Sequence, residues 1–109
     1  MKLEAAESIG FDNVTEEQLR AAFASDAGWG EFIILSQKPE TFIQAAGETE
    51  GQYTLEYRDS DADHHFSAGR TYRKEDLLRA FVWYLARDAR WQSEFPWQKV
   101  ERKPWWKVW

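Results

Sequence analysis

The stretch from Thr71 to Trp97 constrains the fold most, because it carries a long helical pattern followed by a cluster of large rings. Its apolar residues recur at spacings of three, four and one, which places them on a single stripe of an α-helix. The stripe consists of Leu77, Leu78, Phe81, Val82 and Leu85, with Tyr84 at its border. We expect one long amphipathic helix that has Thr71 as its N-cap and ends before Pro96.

The end of this stretch brings three large rings close together in sequence, Trp91, Phe95 and Trp97. Rings of this size bury large areas, and core packing is their usual role. We therefore expect these rings to close one end of the core. A ligand-binding aromatic cage is the alternative.

A shorter helix is predicted near the N-terminus. Thr15 to Gln18 fits a capping box, in which the Thr15 hydroxyl and the Gln18 side chain each bond an amide of the first turn. Val14 and Leu19 occupy the positions of a hydrophobic staple. The segment 28–30, Gly-Trp-Gly, is expected to end the helix.

Four short strands are predicted between the two helices. The apolar run 32–35 is typical of a central strand covered on both faces, or of a strand that starts deep in the core. Residues 52–58 alternate between apolar and polar side chains, so this strand has one apolar face. The other two strands are 41–46 and 64–68. Their short connections favour an antiparallel meander.

Together these elements predict an α+β fold. Its order is an N-terminal helix, a four-stranded antiparallel β-meander, a long C-terminal amphipathic helix, a short final strand within 97–101 and a tryptophan-rich tail. Residues 1–10 fit either a frayed helical turn or an edge strand.

A chain of 109 residues favours one domain, 1–109. We expect the tail 102–109 to dock on this domain or on a second copy, because exposed rings would promote aggregation.

Composition narrows the environment and the partners. The chain has no cysteine, which excludes disulfides and thiolate metal sites. No apolar run is long enough to span a bilayer and the N-terminus does not resemble a signal peptide, so we expect a soluble cytoplasmic protein.

The net charge is divided unevenly along the chain: residues 1–69 carry 4 − 14 = −10, and residues 70–109 carry 10 − 5 = +5. This split predicts either attraction between the two halves or an acidic face for a basic partner.

One segment, 59–65, suggests metal chemistry. Its alternate aspartates resemble the start of a calcium loop, but the sixth and twelfth positions hold His64 and Arg70 instead of glycine and glutamate. A transition metal could still be bound by a histidine together with an aspartate. The weak candidate ligands are Asp61, Asp63, His64 and His65. A solvated hairpin tip is the favoured interpretation, since aspartate and serine are ordinary turn residues.

The chain contains no complete catalytic motif, so we expect a non-enzymatic protein without a cofactor. In size and layout it looks like small, acidic, single-domain bacterial proteins that bind another protein, such as immunity and adaptor proteins. That likeness implies an interaction module. The expected partner is a protein with a basic surface or a second copy, and neither a membrane nor nucleic acid.

The candidate partner-binding residues are Glu48, Glu50, Asp59, Asp61, Trp105, Trp106 and Trp109. The alternatives are a ligand- or metal-binding domain that uses the 59–65 hairpin, and a structural domain that self-associates through the tail.

Overall fold

A computed structural model describes residues 1–6, 10–24, 31–49 and 51–100. These residues form a seven-stranded antiparallel sheet with helices packed on one face. The elements, in chain order, are β1 (Lys2–Ala5), β2 (Gly10–Phe11), α1 (Glu16–Ala24), β3 (Phe32–Lys38), β4 (Thr41–Thr49), β5 (Gln52–Asp59), a 3₁₀ helix (Ala62–His64), β6 (His65–Tyr72), α2 (Lys74–Leu85), α3 (Arg90–Ser93) and β7 (Gln98–Lys99).

The spatial order of the strands is β2-β1-β3-β4-β5-β6-β7, and each neighbouring pair is antiparallel. The α+β fold and the predicted meander, β3 to β6, are confirmed. The ambiguous N-terminal residues add two strands, and β7 is the predicted short final strand. Because β1 pairs with β3, with Leu3 opposite Leu35, its strand conformation depends on a partner about thirty residues away in sequence.

The core lies between one face of the sheet and the first two helices. On the sheet side, Leu3, Ile33 and Leu35 are fully buried. Phe23 of α1 meets Phe81 of α2 edge to face, with 5.2 Å between the ring centroids. Such contacts hold both helices against the same face of the sheet.

The capping box of α1 is confirmed. The Thr15 amide donates to Gln18 Oε1 at 3.0 Å, and the Gln18 amide donates to Thr15 Oγ1 at 3.1 Å. Val14 and Leu19 are both buried in the core, as expected for a staple. The segment 28–30, which was expected to end the helix, lies outside the described residues.

The long C-terminal helix is shorter than its pattern predicted. Thr71 is not its N-cap, because β6 continues to Tyr72, whose hydroxyl donates to the Ala68 carbonyl at 2.9 Å. At the other end Arg87 has a φ of 58°, which stops the helix at Leu85. The amides of Arg87 and the following residue donate back to carbonyls of the last turn at 3.1 and 2.8 Å, the pattern of a Schellman motif.

The stripe of α2 is also rotated from its predicted position. Tyr84, placed at the border by the sequence, is only 2% exposed, whereas Leu78, Val82 and Leu85 are partly buried. The run in β3 was expected either to be covered on both faces or to start deep in the core, and it is buried only at Ile33 and Leu35. The difference in β3 has a simple cause: the helices cover a single face of the sheet, so only one side of each strand is buried.

No helix among the described residues is long and apolar enough to cross a membrane.

Candidate interaction face

The sheet has a second face, opposite to the helices, which we call the open face. Cross-strand partners share a face, so the strand register assigns its side chains. The open face includes Lys2, Glu4, Phe32, Ile34, Ser36, Phe42, Gln44, Ala46, Thr54, Glu56, Arg58, His65, Ser67 and Thr71. It is built from strands whose other side chains form the core, so the fold holds it rigidly.

Two exposed apolar side chains lie on or beside the open face. Among the described residues, the large hydrophobic side chains that stand out as exposed are Phe32, at 37%, and Val100, at 39%. Phe32 begins β3 on the open face. The Val100 amide donates to the His65 carbonyl at 2.8 Å, which places Val100 beside His65 at the edge of the same face. Ile34 and Phe42, half-buried, lie diagonally across β3 and β4 between them.

Arg58 is the centre of a polar network on this face. Its Nε donates to His65 Nδ1 at 3.2 Å, and an Nη donates to the Glu40 carboxylate. The His65 Nε2 lies 2.5 Å from Glu56 Oε1. The guanidinium also lies 5.5 Å from the centroid of the Phe42 ring.

This network determines the tautomer of the His65 ring. Arginine can only donate hydrogen bonds, so Nδ1 of His65 must accept from Arg58. The ring proton is therefore on Nε2, where it is donated to Glu56. Arg58 and His65 are 20% and 13% exposed, so their side chains are held in place rather than freely solvated. The open face thus presents ordered polar groups beside its apolar ones.

A cleft of about 520 Å³ adjoins the open face at its β1–β3 corner. Lys2, Glu4 and Ser36 contribute one wall, and Asp12 and Lys38 contribute to the rest. Lys2 Nζ lies 2.8 Å from Glu4 Oε1, and this hydrogen bond raises the pKa of Lys2. The volume is within the range of small-molecule pockets and is large enough to accept an aromatic side chain.

The structure does not bring the predicted acidic residues together. Asp59 and Asp61 are exposed at the end of the sheet where β5 leads into β6. Glu48 lies near the end of β4, at the opposite end, about 23 Å away along β5. The side chain of Glu48 and the whole of Glu50 lie outside the described residues. The same holds for the remaining candidates, Trp105, Trp106 and Trp109.

The candidate metal ligands are also separated. Asp61 caps the 3₁₀ helix: its Oδ1 accepts from the Asp63 amide at 2.9 Å and lies 2.8 Å from His64 Nδ1. The hydrogen bond with His64 lowers the pKa of Asp61. His64 lies in this turn rather than in β6, and His65 contacts Glu56 on the open face. Within the described ranges no three His, Asp or Glu side chains are grouped as a metal site would need.

The rings near the C-terminus close one end of the core, as the sequence predicted. Tyr57 meets Trp91 and Trp97 edge to face, with centroid distances of 4.8 and 4.7 Å. Trp97 Nε1 donates to the Trp91 carbonyl at 3.0 Å. Tyr84 packs against Trp91, and its burial raises its pKa to about 12. These contacts occupy the ring faces with one another, which favours packing over a ligand cage.

The sequence missed most residues of the open face. Glu56 and Arg58 were assigned to the wet side of their strand, and no role was inferred for Phe42. The alternation in residues 52–58 was the available signal for this face. It could not show that Phe42, Arg58 and His65 become cross-strand neighbours, because that depends on the register of three strands.

No family model, curated protein or solved structure matches this chain. The interpretation of the open face therefore rests on its own geometry.

Proposed function

We propose that this protein is a non-enzymatic interaction module that binds another protein through the open face of its sheet. The observation that carries the proposal is the position of Phe32 and Val100. Both are large hydrophobic side chains exposed by more than a third. Phe32 lies on the open face by its strand register, and Val100 lies beside His65 at the edge of that face. Exposed apolar groups on a rigid surface with a polar surround are typical of protein-binding sites.

The surroundings of this face favour a partner with apolar side chains flanked by basic ones. Acidic residues lie at both ends of the strands, Glu31 at one end and Glu40, Asp59 and Asp61 at the other. A partner segment that runs along the strands would meet carboxylates at each end and apolar groups between them. Complementary charge of this kind mainly accelerates association and orients the partner.

The corner cleft gives such a partner an anchor point. Binding energy at protein interfaces is concentrated in a few side chains that fill pockets, often aromatic ones or arginine. The cleft beside Lys2 and Ser36 is large enough for one such side chain, and Glu4 and Asp12 could pair with a cation at its tip.

The test is a comparative affinity capture from the native lysate at low salt, with bound proteins identified by mass spectrometry. Three baits are compared: the wild-type chain, Phe32→Asp on the open face, and Trp83→Asp as a matched control. Trp83 is a half-buried ring on α2, with the Arg90 guanidinium 5.1 Å from its centroid. Thermal unfolding of each bait verifies that it is folded.

We expect a stoichiometric protein that is retained by wild type and Trp83→Asp, lost with Phe32→Asp, and released as salt rises. Capture that survives Phe32→Asp would contradict the open face as the binding site. Two further baits, Glu48→Lys with Glu50→Lys and Asp59→Lys with Asp61→Lys, show which end of the sheet faces the basic part of the partner.

A further inference from the structure

We infer that His65 is a pH-sensitive switch on the open face: when its ring gains a second proton, the hydrogen bond from Arg58 is lost and the Arg58 side chain moves away. Histidine is the side chain that ordinarily changes charge between about pH 5 and 8. The loss of this contact concerns one chain alone. Its consequence for binding rests on the proposed function, because it regulates the same face.

The switch follows from the two hydrogen bonds of the His65 ring. Arg58 Nε donates to Nδ1 at 3.2 Å, and Nε2 lies 2.5 Å from Glu56 Oε1. The neutral ring satisfies both contacts, since one nitrogen accepts and the other donates. A protonated ring carries a hydrogen on both nitrogens and has no acceptor left. The hydrogen on Arg58 Nε then faces the hydrogen on Nδ1, and both side chains are positively charged.

The surroundings favour movement of Arg58 rather than of the ring. The His65 side chain is 13% exposed and is held by Glu56, whose carboxylate bonds a charged ring more strongly than a neutral one. Arg58 has a second partner in the Glu40 carboxylate, at the turn between β3 and β4. Because the Glu40 side chain is 55% exposed, it can follow Arg58 to a new position.

The charged groups that face the ring come from β5 and the β3–β4 turn. They are Glu56 and Arg58 directly, and Glu40 through Arg58. From β4 the ring meets the uncharged Phe42, with 6.3 Å between the ring centroids. Beyond β7, the Val100 amide donates to the His65 carbonyl at 2.8 Å. Protonation of His65 therefore acts first on its contact with Arg58.

Release of Arg58 would change both the surface and the charge of the open face. The guanidinium lies 5.5 Å from the centroid of the Phe42 ring, so its departure alters the surface around that ring. Arg58, Glu40, Glu56 and a neutral His65 carry a formal charge of 1 − 2 = −1, and protonation of the ring makes it 2 − 2 = 0. A partner with basic side chains is therefore bound less tightly at lower pH.

The test is an NMR titration of the full-length chain from pH 8 to pH 5. The sequence has two histidines, so both rings can be followed through their nitrogen signals. At pH 8 we expect the ring proton of His65 on Nε2, and that of His64 on Nδ1, which lies 2.8 Å from Asp61 Oδ1. As His65 gains its proton, the Nε–H signal of Arg58 and the amide signal of Phe42 should shift with the same midpoint.

Two glutamine variants separate His65 from the other groups that titrate. In His65→Gln the side-chain amide offers an acceptor to Arg58 and a donor to Glu56 but does not titrate, so the response of Arg58 should disappear. In His64→Gln that response should be unchanged. A constant Arg58 signal in the wild type, or an equal response in His65→Gln, would overturn the inference. A ring proton on Nδ1 of His65 at pH 8 would overturn it equally.

The effect on binding is measured with the protein retained in the affinity capture. Relative to His65→Gln, which corrects for titration of the partner, retention by the wild type should fall roughly two- to fivefold from pH 7.5 to pH 5.5. An unchanged ratio would show that the switch does not regulate binding. If no protein is captured at either pH, the proposed function is wrong, and the NMR titration alone decides whether His65 releases Arg58.

Discussion

The two faces of the sheet are built from the same strands, yet they differ in almost every property. On the covered face Leu3, Ile33, Leu35, Ile43 and Leu55 are at most 1% exposed and belong to the hydrophobic core. On the open face apolar rings lie beside charged groups, and Arg58 contacts His65, Glu40 and the Phe42 ring. The comparison shows that one strand can supply both stability and recognition, because successive side chains point in opposite directions.

The largest expected difference between the faces concerns stability. Phe81→Ala removes a fully buried ring that packs on Phe23, and it should lower the free energy of unfolding by about 3–5 kcal/mol. The matched change on the open face, Phe32→Ala, should cost less than about 1 kcal/mol, because that ring is 37% exposed. Urea denaturation of both variants measures this difference. Similar losses would mean that the open face is part of the core.

A second measurement tests the burial of the core through the pH dependence of stability. Burial in the core raises the pKa of Tyr84, on α2, to about 12, whereas an unfolded tyrosine ionises near its ordinary value of about 10. Above pH 10 the unfolded chain loses this proton first, so stability falls as pH rises from 10 to 12. The free energy of unfolding of wild type, relative to Tyr84→Phe, should decrease by about 2 kcal/mol over this range.

Chemical denaturation at several pH values checks that prediction, and ionisation of the other tyrosines and of lysines cancels in the comparison. A difference between the two proteins that stays constant from pH 10 to 12 would show that Tyr84 is not buried as described.

The smallest expected effect is within the open face itself. Glu56 and His65 are 31% and 13% exposed, with 2.5 Å between their hydrogen-bonded atoms. A double-mutant cycle with Glu56→Gln and His65→Ala should give a coupling of about 0.5–1 kcal/mol, since partly solvated polar pairs contribute little net stability.

The pair Asp61 and His64 serves as the control for that cycle, because it has a similar contact, 2.8 Å, at an exposed site. Its coupling should be smaller still. If the Glu56–His65 coupling instead approached the cost of Phe81→Ala, the polar network would be a structural element of the fold, and its proposed role in recognition would be weakened.

The sequence predicted the main elements and the meander well, and the contacts between side chains on different strands poorly. The capping box of Thr15 and Gln18 was readable because its two hydrogen bonds join residues three apart. The alternation in residues 52–58 was readable because it too is a local pattern, carried by neighbouring residues. The N-cap of α2 was predicted wrongly at Thr71, because β6 continues to Tyr72 through its pairing with β5. The candidate site was mostly missed: only His65 among the residues of the Arg58 network had been singled out, and for a different chemistry.

By itself the sequence determined the two main helices, the antiparallel meander β3 to β6 and the aromatic closure of one end of the core. These properties follow from periodicity and from contacts between residues close in the chain. The tertiary structure alone decided that the helices share one face, and that Phe42, Arg58, His65 and Glu56 meet on the other. Those outcomes depend on strand register and on which side the helices pack, and a shift of one residue would move every such side chain to the opposite face.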